Sequence, residues 1–311
     1  MEVIKDKYYE WNKFYEWAVE NSDPRVKDWF LMQSYTPTLV ITILYVMLVY
    51  AGKWWMTNRE PYKLRGAVFI YNIALVILNF YIFYQIVVYT YKAGYSFICQ
   101  PVTYSYDENE VNIAKALWWF YFSKCIEMMD TFFFVLKKKN NQISFLHVYH
   151  HATMFPLWWI GIKWVAGGQS FFGATVNSLI HVIMYTYYGI SALGPQYQKY
   201  LWWKRYLTML QLIQFVTGII HAAQSLYFKC DFPEWMHWAL VFYALTILLL
   251  FLNFYFHAYV KSMKQKQVLS KKLVAYLEAT STCTKDEPRM EAQKLRCHAQ
   301  LKLIGIHGGE G

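Results

Sequence analysis

The chain has 311 residues, of which 57% are hydrophobic, 21% are aromatic and only 16% are charged. Soluble domains have about 25% charged residues, so a soluble protein is excluded, and the aromatic content excludes a disordered or collagen-like chain. The formal net charge of +10 comes from lysines and arginines between apolar stretches and near the C-terminus. This distribution fits membrane orientation or a polyanionic substrate and not a nucleic acid, so the composition indicates a polytopic membrane protein. The apolar runs lack period-2 alternation and are twice as long as a barrel strand, so the protein is predicted to be all-α.

Seven apolar stretches are predicted to cross the membrane as helices, because each has about the 20 residues that a spanning helix needs. A segment of residues 1–35 precedes them, the spans form a domain at 36–260, and a basic tail at 261–311 is predicted to be disordered. The seven spans are 36–56, 66–89, 112–136, 145–165, 170–193, 206–227 and 236–260.

The distribution of positive charge predicts which way the spans run. The N-terminal segment and the loops on its side carry 8 lysines and arginines, whereas the loops and the tail on the other side carry 20. Positive residues concentrate on the cytosolic side of membrane proteins. The N-terminus is therefore predicted to be luminal and the C-terminus cytosolic.

Two cysteines, Cys99 and Cys230, fall in loops that this orientation places in the lumen. The lumen is an oxidising compartment in which disulfides form and persist. We therefore predict a disulfide between them. The alternative is a pair of ordinary free thiols.

Span 112–136 carries ionisable residues that are costly in lipid, so each is a candidate functional residue. Lys124, Glu127, Asp130 and Thr131 occur in KCIEMMDT, and spacings of three, three and one put them on one side of a helix. The alternative for Lys124 and Glu127 is a neutralised, buried ion pair without a catalytic role.

The next three spans add polar residues at a similar depth. At about 1.5 Å per residue from the cytosolic end, His150 lies about 8 Å, Asp130 about 9 Å and His181 about 18 Å inside. Because lipid offers no hydrogen-bond partners, the four helices are predicted to share one cavity, although the amides could instead join helices. The other polar residues are His147, His151, Asn177, Tyr185, Tyr188, Gln211 and Gln214.

Two chemistries compete for the histidine cluster. The spacing of His147, His150 and His151 is compatible with iron or zinc ligation, as in membrane di-iron desaturases and hydroxylases. A chain with 9 histidines, several of them scattered, has too few for a di-iron centre, so no metal site is predicted. The other chemistry is attack of an imidazole on a thioester, with Asn177, Gln211 and tyrosines as oxyanion donors. A transporter or receptor with a polar core is a third, non-enzymatic hypothesis.

The four polar motifs resemble the signatures of a known family. KCIEMMDT, HVYHH, HVIMYTYY and TMLQLIQ are similar to KxxExxDT, HxxHH, HxxMYxYY and TxxQxxQ of the ELO-type fatty acid elongases, in the same order and on consecutive spans. The resemblance covers most of residues 30–260, and the stretch that begins LHVYHHATMFPLWW looks like the animal branch that extends very long and polyunsaturated chains.

The resemblance implies a seven-helix fold in which six helices form a barrel around an acyl tunnel closed at its luminal end. It implies a 3-oxoacyl-CoA synthase of the endoplasmic reticulum membrane, which condenses acyl-CoA with malonyl-CoA and releases CO2 and CoA without a metal or other cofactor. Membrane lipid surrounds such an enzyme. Its expected protein partners are a second copy and other enzymes of the elongation cycle.

Matching motif positions also imply residue roles. His150 would be the nucleophile that forms an acyl-imidazole, and His181 would bind or orient the reacting carbonyl. His147, His151 and Asp130 are assigned to orientation and proton transfer. The residues assigned to substrate binding within the spans are Lys124, Glu127, Asn177, Tyr185, Tyr188, Gln211 and Gln214.

Basic residues flank the predicted cytosolic mouth of the cavity. Lys137 begins a run of three lysines after span 112–136, and Lys204 and Arg205 precede span 206–227. Charge-assisted contacts from these residues could hold the phosphates of CoA. The alternative is that they act only as orientation signals.

Overall fold

The computed structural model describes residues 2–261, 267–272 and 274, and every regular element within these residues is helical. The all-α prediction is therefore confirmed. The chain divides into two compact units, Met1–Phe251 and Leu252–Gly311. The α-helices of the described residues are α1 Glu2–Glu20, α2 Thr36–Trp55, α3 Arg65–Lys92, α4 Glu108–Glu127, α5 Met129–Leu136, α6 Phe145–Val165, α7 Ser170–Ala192, α8 Lys204–Tyr227 and α9 Glu234–Tyr255. Most of the tail at 261–311, which was predicted to be disordered, lies outside the described residues.

Four helices within the described residues are long and apolar enough to cross a membrane: α2, α3, α8, and the stretch Glu234–Lys261 that contains α9. They correspond to four of the seven predicted spans, so the chain is a multi-pass membrane protein. The other three predicted spans coincide with α4 and α5, α6 and α7, which carry the ionisable and amide side chains of the motifs. Their crossing of the membrane stays a prediction.

The core of the first unit lies between α2, α3, α4, α6 and α7. α3 packs along α7 and α4, α4 packs on α6, and α6 packs on α2. Apolar side chains fill the contacts, as where Tyr121 stacks on Phe155 with ring centroids 4.7 Å apart. The helices that carry the motifs KCIEMMDT, HVYHH and HVIMYTYY are therefore neighbours.

The predicted span 112–136 is divided into two helices, which corrects the prediction that its polar residues share one uninterrupted helix. The break lies at Met128, whose backbone N–H donates to the carbonyl of Cys125 at 3.3 Å, three residues back. This tighter turn interrupts the α-helical pattern, in which each N–H donates four residues back. The carbonyl of Ile126 beside the break accepts a hydrogen bond from the Tyr71 hydroxyl of α3 at 3.2 Å.

A buried ion pair lies at one end of the first unit, between α1 and α2. Arg25 donates to both carboxylate oxygens of Asp23, with Nη2 2.6 Å from Oδ2, and Nη2 also donates to the carbonyl of Ala166 at 3.0 Å. Glu110 of α4 lies 3.8 Å from the same guanidinium and accepts from the Tyr95 hydroxyl at 2.7 Å. These contacts attach the segment before α2 to the ends of α4 and α6.

Cys99 and Cys230, the two cysteines for which the sequence predicts a bridge, form a disulfide. It joins the connection between α3 and α4 to the connection between α8 and α9. Gln169 and Gln224 reinforce the same place, since their side-chain amides donate to the carbonyl of Ile98 at 3.0 and 3.2 Å.

Removal of the disulfide is expected to lower stability without removing the site. The bridge closes a loop of 131 residues, so loss of the cross-link frees the unfolded chain and should cost about 2–5 kcal/mol. Thermal unfolding of Cys99→Ser in detergent should show a lower midpoint, and Cys230→Ser should match it. A Cys125→Ser control should unfold like the parent, and an equal loss in all three variants would contradict the prediction.

Candidate active site

The three histidines of HVYHH lie on the first two turns of α6. Ser144 caps this helix by accepting a hydrogen bond from the backbone N–H of His147 at 3.2 Å, so the motif begins at a fixed helix start. The ring of His151 lies 4.5 Å from that of His147 and 5.2 Å from that of His150, measured between centroids. His151 is buried, whereas His150 is half-buried.

A buried network of charged and polar residues joins α4 to α7. The ammonium of Lys124 lies 3.0 and 3.1 Å from the two carboxylate oxygens of Glu127 and donates to Oδ1 of Asn177 at 3.0 Å. Oε1 of Glu127 also lies 3.2 Å from Nδ1 of His181. Lys124 and Glu127 are no more than 1% exposed, so each depends on the other for its charge partner. The contact with Glu127 therefore fixes the orientation of the His181 imidazole through Nδ1.

The ring contact of His150 lies within its own motif, where its ring is 5.2 Å from that of His151. A meeting of His150 of α6 with His181 of α7 across a shared cavity stays a prediction.

Asp130 and Thr131 of α5 hold two further site residues. Oδ2 of Asp130 accepts a hydrogen bond from the Tyr185 hydroxyl at 2.8 Å, and the ring of Tyr185 lies 5.7 Å from that of His181. The hydroxyl of Thr131 lies 2.9 Å from Nε2 of His147. The α4–α5 break thus separates two pairs of polar residues. Lys124 and Glu127, before the break, are both bonded to α7. After the break, Asp130 is bonded to α7 and Thr131 to α6.

A cavity of about 940 Å³ reaches Asp130 from one surface of the first unit. Its lining is largely apolar and aromatic, with Phe133, Phe134 and Tyr188, and Asn72 of α3 also contributes. Four basic residues, Lys63, Arg65, Lys137 and Lys139, line it too, and we call them the basic rim because three of them are exposed. The cavity is large enough for part of an extended small-molecule ligand.

The four basic residues of the rim concentrate positive charge in one part of the cavity. Burial, and then the neighbouring charges of Lys139 and Arg65, lower the pKa of Lys137 below its usual value. An anion bound between these residues would relieve that repulsion, so the rim has the electrostatics of a phosphate-binding surface.

The structure does not bring every predicted residue to this cavity. Lys204 and Arg205 begin α8 and are not among the residues that line it. The Gln211 amide donates to the sulfur of Met184 at 3.5 Å, which places it against α7, and Gln214 is half-buried one turn further along α8. Gln211 has the helix-joining contact that the sequence analysis left open as an alternative.

Sequence reasoning missed several residues of the site. Lys63 and Arg65 were counted only as orientation signals, although their charge in a short basic loop was a usable signal. Asn72 is one of three amide residues in its span, with Asn79 and Gln85, and the sequence does not distinguish it from the other two. The Tyr45 hydroxyl of α2 lies 2.9 Å from that of Thr131, but the same span also contains Tyr50, so the sequence does not single out Tyr45.

The donor geometry bears on the metal alternative. Within the part of the chain that the structure describes, no group of three or more histidine, cysteine, aspartate and glutamate side chains is arranged to hold a metal ion. Two of the site histidines are bonded to other side chains of the protein, His147 to Thr131 and His181 to Glu127.

Comparison with known proteins agrees with this helical membrane site. The profile of the ELO family, described as the GNS1/SUR4 family, matches residues 30–267. Very long chain fatty acid elongase 4 of Macaca mulatta is 60% identical over 254 residues, which is 82% of this chain and 81% of that protein. Elongase 5 of Tachysurus fulvidraco is 45% identical over 262 residues, or 84% of this chain and 87% of that protein. Elongase 2 of Mus musculus is 45% identical over 276 residues, which is 88% of this chain and 93% of that protein.

The fold, the buried polar site and these relatives define a multi-pass membrane acyltransferase, the condensing enzyme of fatty acid elongation. The chain belongs to the ELO family.

Proposed function

We propose that the protein is a very-long-chain 3-oxoacyl-CoA synthase that joins a polyunsaturated acyl-CoA to malonyl-CoA. The products are 3-oxoacyl-CoA, CO2 and CoA. The observation that carries the proposal is the single buried cluster formed by polar residues of α4, α5, α6 and α7, next to a cavity with a basic rim. The similarity to elongases 4, 5 and 2 supports the chain-length class.

His150 is the proposed nucleophile. An imidazole nitrogen attacks the thioester carbonyl carbon, the carbon–sulfur bond breaks, and CoA leaves as a thiolate that takes up the proton from the ring. The half-buried position of His150 supports this role, because its neighbour His151 is enclosed by the fold whereas His150 retains access. The product of this half-reaction is an acyl-imidazole.

The second half-reaction consumes the acyl-imidazole. Malonyl-CoA loses CO2, and the electron pair of the broken carbon–carbon bond attacks the acyl carbonyl. The carbon–nitrogen bond to His150 then breaks, and the departing ring nitrogen takes up one proton from water, which restores the neutral imidazole. Nδ1 of His181 is held by Glu127. The other ring nitrogen, Nε2, is the atom proposed to orient the carbonyl and stabilise the developing oxyanion.

Asp130 and His147 have positioning roles in this proposal. Asp130 is held by the Tyr185 hydroxyl and His147 by the Thr131 hydroxyl, so neither side chain is free to rotate away from the site. Fixed partners of this kind keep reacting groups within the narrow geometry that covalent catalysis requires. His151, packed between the other two rings of its motif, supports their orientation.

The basic rim is the proposed site for the phosphates of CoA. Lys63, Arg65, Lys137 and Lys139 line the cavity together with Tyr188 and Asn72. The phosphates would lie at the rim and the pantetheine chain would extend toward Asp130. No cofactor beyond the two CoA substrates is required.

Neutralising the rim should weaken substrate binding more than it slows chemistry. Lys137→Met is expected to raise the KM for malonyl-CoA by about tenfold, because one charge-assisted contact to phosphate is lost. The effect should shrink at high salt. Lys204→Met serves as the control, since Lys204 does not line the cavity. Equal effects of the two variants would show that general surface charge, and not the rim, holds the substrate.

The membrane arrangement of this enzyme follows from the same proposal. We infer seven spans, with six forming a barrel around the acyl tunnel, in the endoplasmic reticulum membrane. The positive-charge distribution supports a luminal N-terminus and a cytosolic cavity opening, where CoA esters are present. Self-association and contact with other elongation-cycle enzymes belong to the proposal as well.

Omitting malonyl-CoA distinguishes the two-step covalent mechanism from a direct transfer between the two substrates. Purified protein given a very-long-chain acyl-CoA alone should release one equivalent of CoA in a rapid burst, detected as free thiol. Subsequent malonyl-CoA should start CO2 release. Absence of the burst, with normal turnover when both substrates are present, would overturn the covalent mechanism in favour of a ternary complex.

A further inference from the structure

The first helix, α1, has a row of exposed aromatic side chains that the catalytic function does not explain. Trp11, Phe14 and Trp17 are 64%, 56% and 59% exposed. Their rings lie side by side, with centroids 6.0 Å apart for Trp11 and Phe14 and 5.9 Å apart for Phe14 and Trp17. Three large exposed aromatics in contact form a surface that water solvates poorly, so a partner of suitable chemistry is expected.

The aromatic row lies on the apolar side of an amphipathic helix. With about 100° between successive residues, Trp11, Phe14 and Trp17 fall on the same broad side as Tyr15 and Ala18. The opposite side is mainly polar, with Asn12 and Glu16, although the exposed Tyr9 also lies there. Lys13 and Glu20 lie beside Trp17 at the border between the two sides, and Glu10 falls within the aromatic side.

Hydrogen bonds fix α1 at the level where a membrane span begins. The backbone N–H of Tyr35 donates to the Tyr15 hydroxyl at 3.1 Å, and Tyr35 directly precedes the candidate span Thr36–Trp55. The indole N–H of Trp164, near the end of α6, donates to the carbonyl of Ala18 at 2.9 Å. The middle and the C-terminal part of α1 are therefore both attached to the end of the helix bundle.

This attachment limits the distance of the aromatic row from the membrane surface. Trp11 and Trp17 lie within four residues of Tyr15, which is about 6 Å along a helix. The headgroup region on each side of a bilayer is about 5–8 Å thick. The row therefore lies close to the start of a candidate span, and tryptophan is enriched at the membrane interface where such spans begin.

The segment between α1 and α2 carries a further exposed aromatic residue. Phe30 is 64% exposed, and its ring lies 6.0 Å from that of Phe122 on α4. The carbonyl of Phe30 accepts a hydrogen bond from the indole of Trp118 at 3.0 Å. The segment that follows α1 is therefore itself attached to α4.

We propose that α1 lies in the membrane interface, with Trp11, Phe14 and Trp17 inserted into the boundary between headgroups and acyl chains. The occupant of the aromatic side is lipid of the leaflet at which α2 begins. Asn12, Lys13, Glu16 and Glu20 face water. The helix is thus an interfacial anchor that holds the segment before α2 against the bilayer.

Spin labels on the two sides of α1 test the proposal in the full chain. Cys125, Cys283 and Cys297 are replaced by serine, the Cys99–Cys230 disulfide is kept, and one nitroxide is attached at Phe14→Cys or, as the matched control, at Glu16→Cys. The protein is placed in phosphatidylcholine nanodiscs. The label at 14 should collide with oxygen several-fold more, relative to a water-soluble nickel complex, than the label at 16.

Two results would overturn the proposal. Equal access of the nickel complex to both labels would show that the aromatic side faces water. Low access of both quenchers at 14, together with spin–spin broadening that disappears on dilution with unlabelled protein, would show that a second copy covers it. If Phe14→Cys does not fold, Trp11→Cys with the same Glu16→Cys control repeats the comparison one turn earlier, because these two positions are about 140° apart around the helix.

Discussion

Replacing His150 with alanine is expected to abolish condensation while leaving the fold intact. The variant removes the atom that forms the covalent bond, so turnover should fall by at least about 10³-fold. The half-buried side chain can be shortened without leaving a buried charge unpaired, and the thermal midpoint should stay close to that of the parent. The measurement is release of labelled CO2 from malonyl-CoA in the presence of a very-long-chain acyl-CoA.

A histidine outside the site provides the control. His257 is exposed, and its Nδ1 lies 3.0 Å from the carbonyl of Asn253, one turn back on its own helix. His257→Ala should therefore keep full turnover. Retained turnover in His150→Ala would remove the nucleophile from the account, whereas equal loss in both variants would indicate a general sensitivity to histidine replacement.

Breaking the ion pair between Lys124 and Glu127 is expected to have the largest effect on stability. Glu127→Leu leaves the ammonium of Lys124 buried without its charge partner, which should cost about 3–5 kcal/mol of unfolding free energy. The same change releases His181, because Oε1 of Glu127 holds its Nδ1 at 3.2 Å. Both thermal stability in detergent and turnover of the remaining folded enzyme should fall.

A second buried ion pair, between Arg25 and Asp23, makes it possible to distinguish a loss of stability from a loss of the His181 position. Arg25 and Asp23 are no more than 5% exposed and lie at the end of the unit away from the histidines, so Arg25→Met should destabilise the protein by a similar mechanism. The folded fraction of Arg25→Met should retain its turnover. Loss of turnover in Arg25→Met at temperatures where it remains folded would mean that stability alone, and not the position of His181, explains the Glu127→Leu result.

The combined variant adds an internal check. Lys124→Leu with Glu127→Leu removes both charges, so no unpaired charge remains buried. Stability should recover part of the way toward the parent, whereas turnover should stay low because His181 still lacks its partner. Recovery of turnover together with stability would show that the pair has only a structural role.

The sequence predicts the helical class and the meeting of the motifs for a clear physical reason. Lys124, Glu127 and His181 cannot be satisfied by lipid, so they had to face one another, and the structure bonds them directly. Fixed spacing in the chain placed the three histidines of HVYHH on one stretch of helix. The resemblance to the ELO family, which the comparisons confirm, supplied the order of the motifs.

The finer geometry was beyond the sequence because it depends on contacts between distant helices. The Tyr71 hydroxyl of α3 bonds the Ile126 carbonyl beside the break at Met128, and nothing in KCIEMMDT indicates that contact. The cavity rim depends on which basic loops come together, and Lys63 and Arg65 line it while Lys204 does not. Charge counts along the chain cannot distinguish these loops.

The most direct test of the account is to locate the acyl group on the protein. The enzyme is incubated with one acyl-CoA in the absence of malonyl-CoA, digested under mild acid, and its peptides are weighed by mass spectrometry. The account predicts an increase equal to one acyl residue on the peptide that contains His150, lost when malonyl-CoA is added. An acyl group on another residue, such as Cys125, or turnover without any acylated peptide, would contradict it.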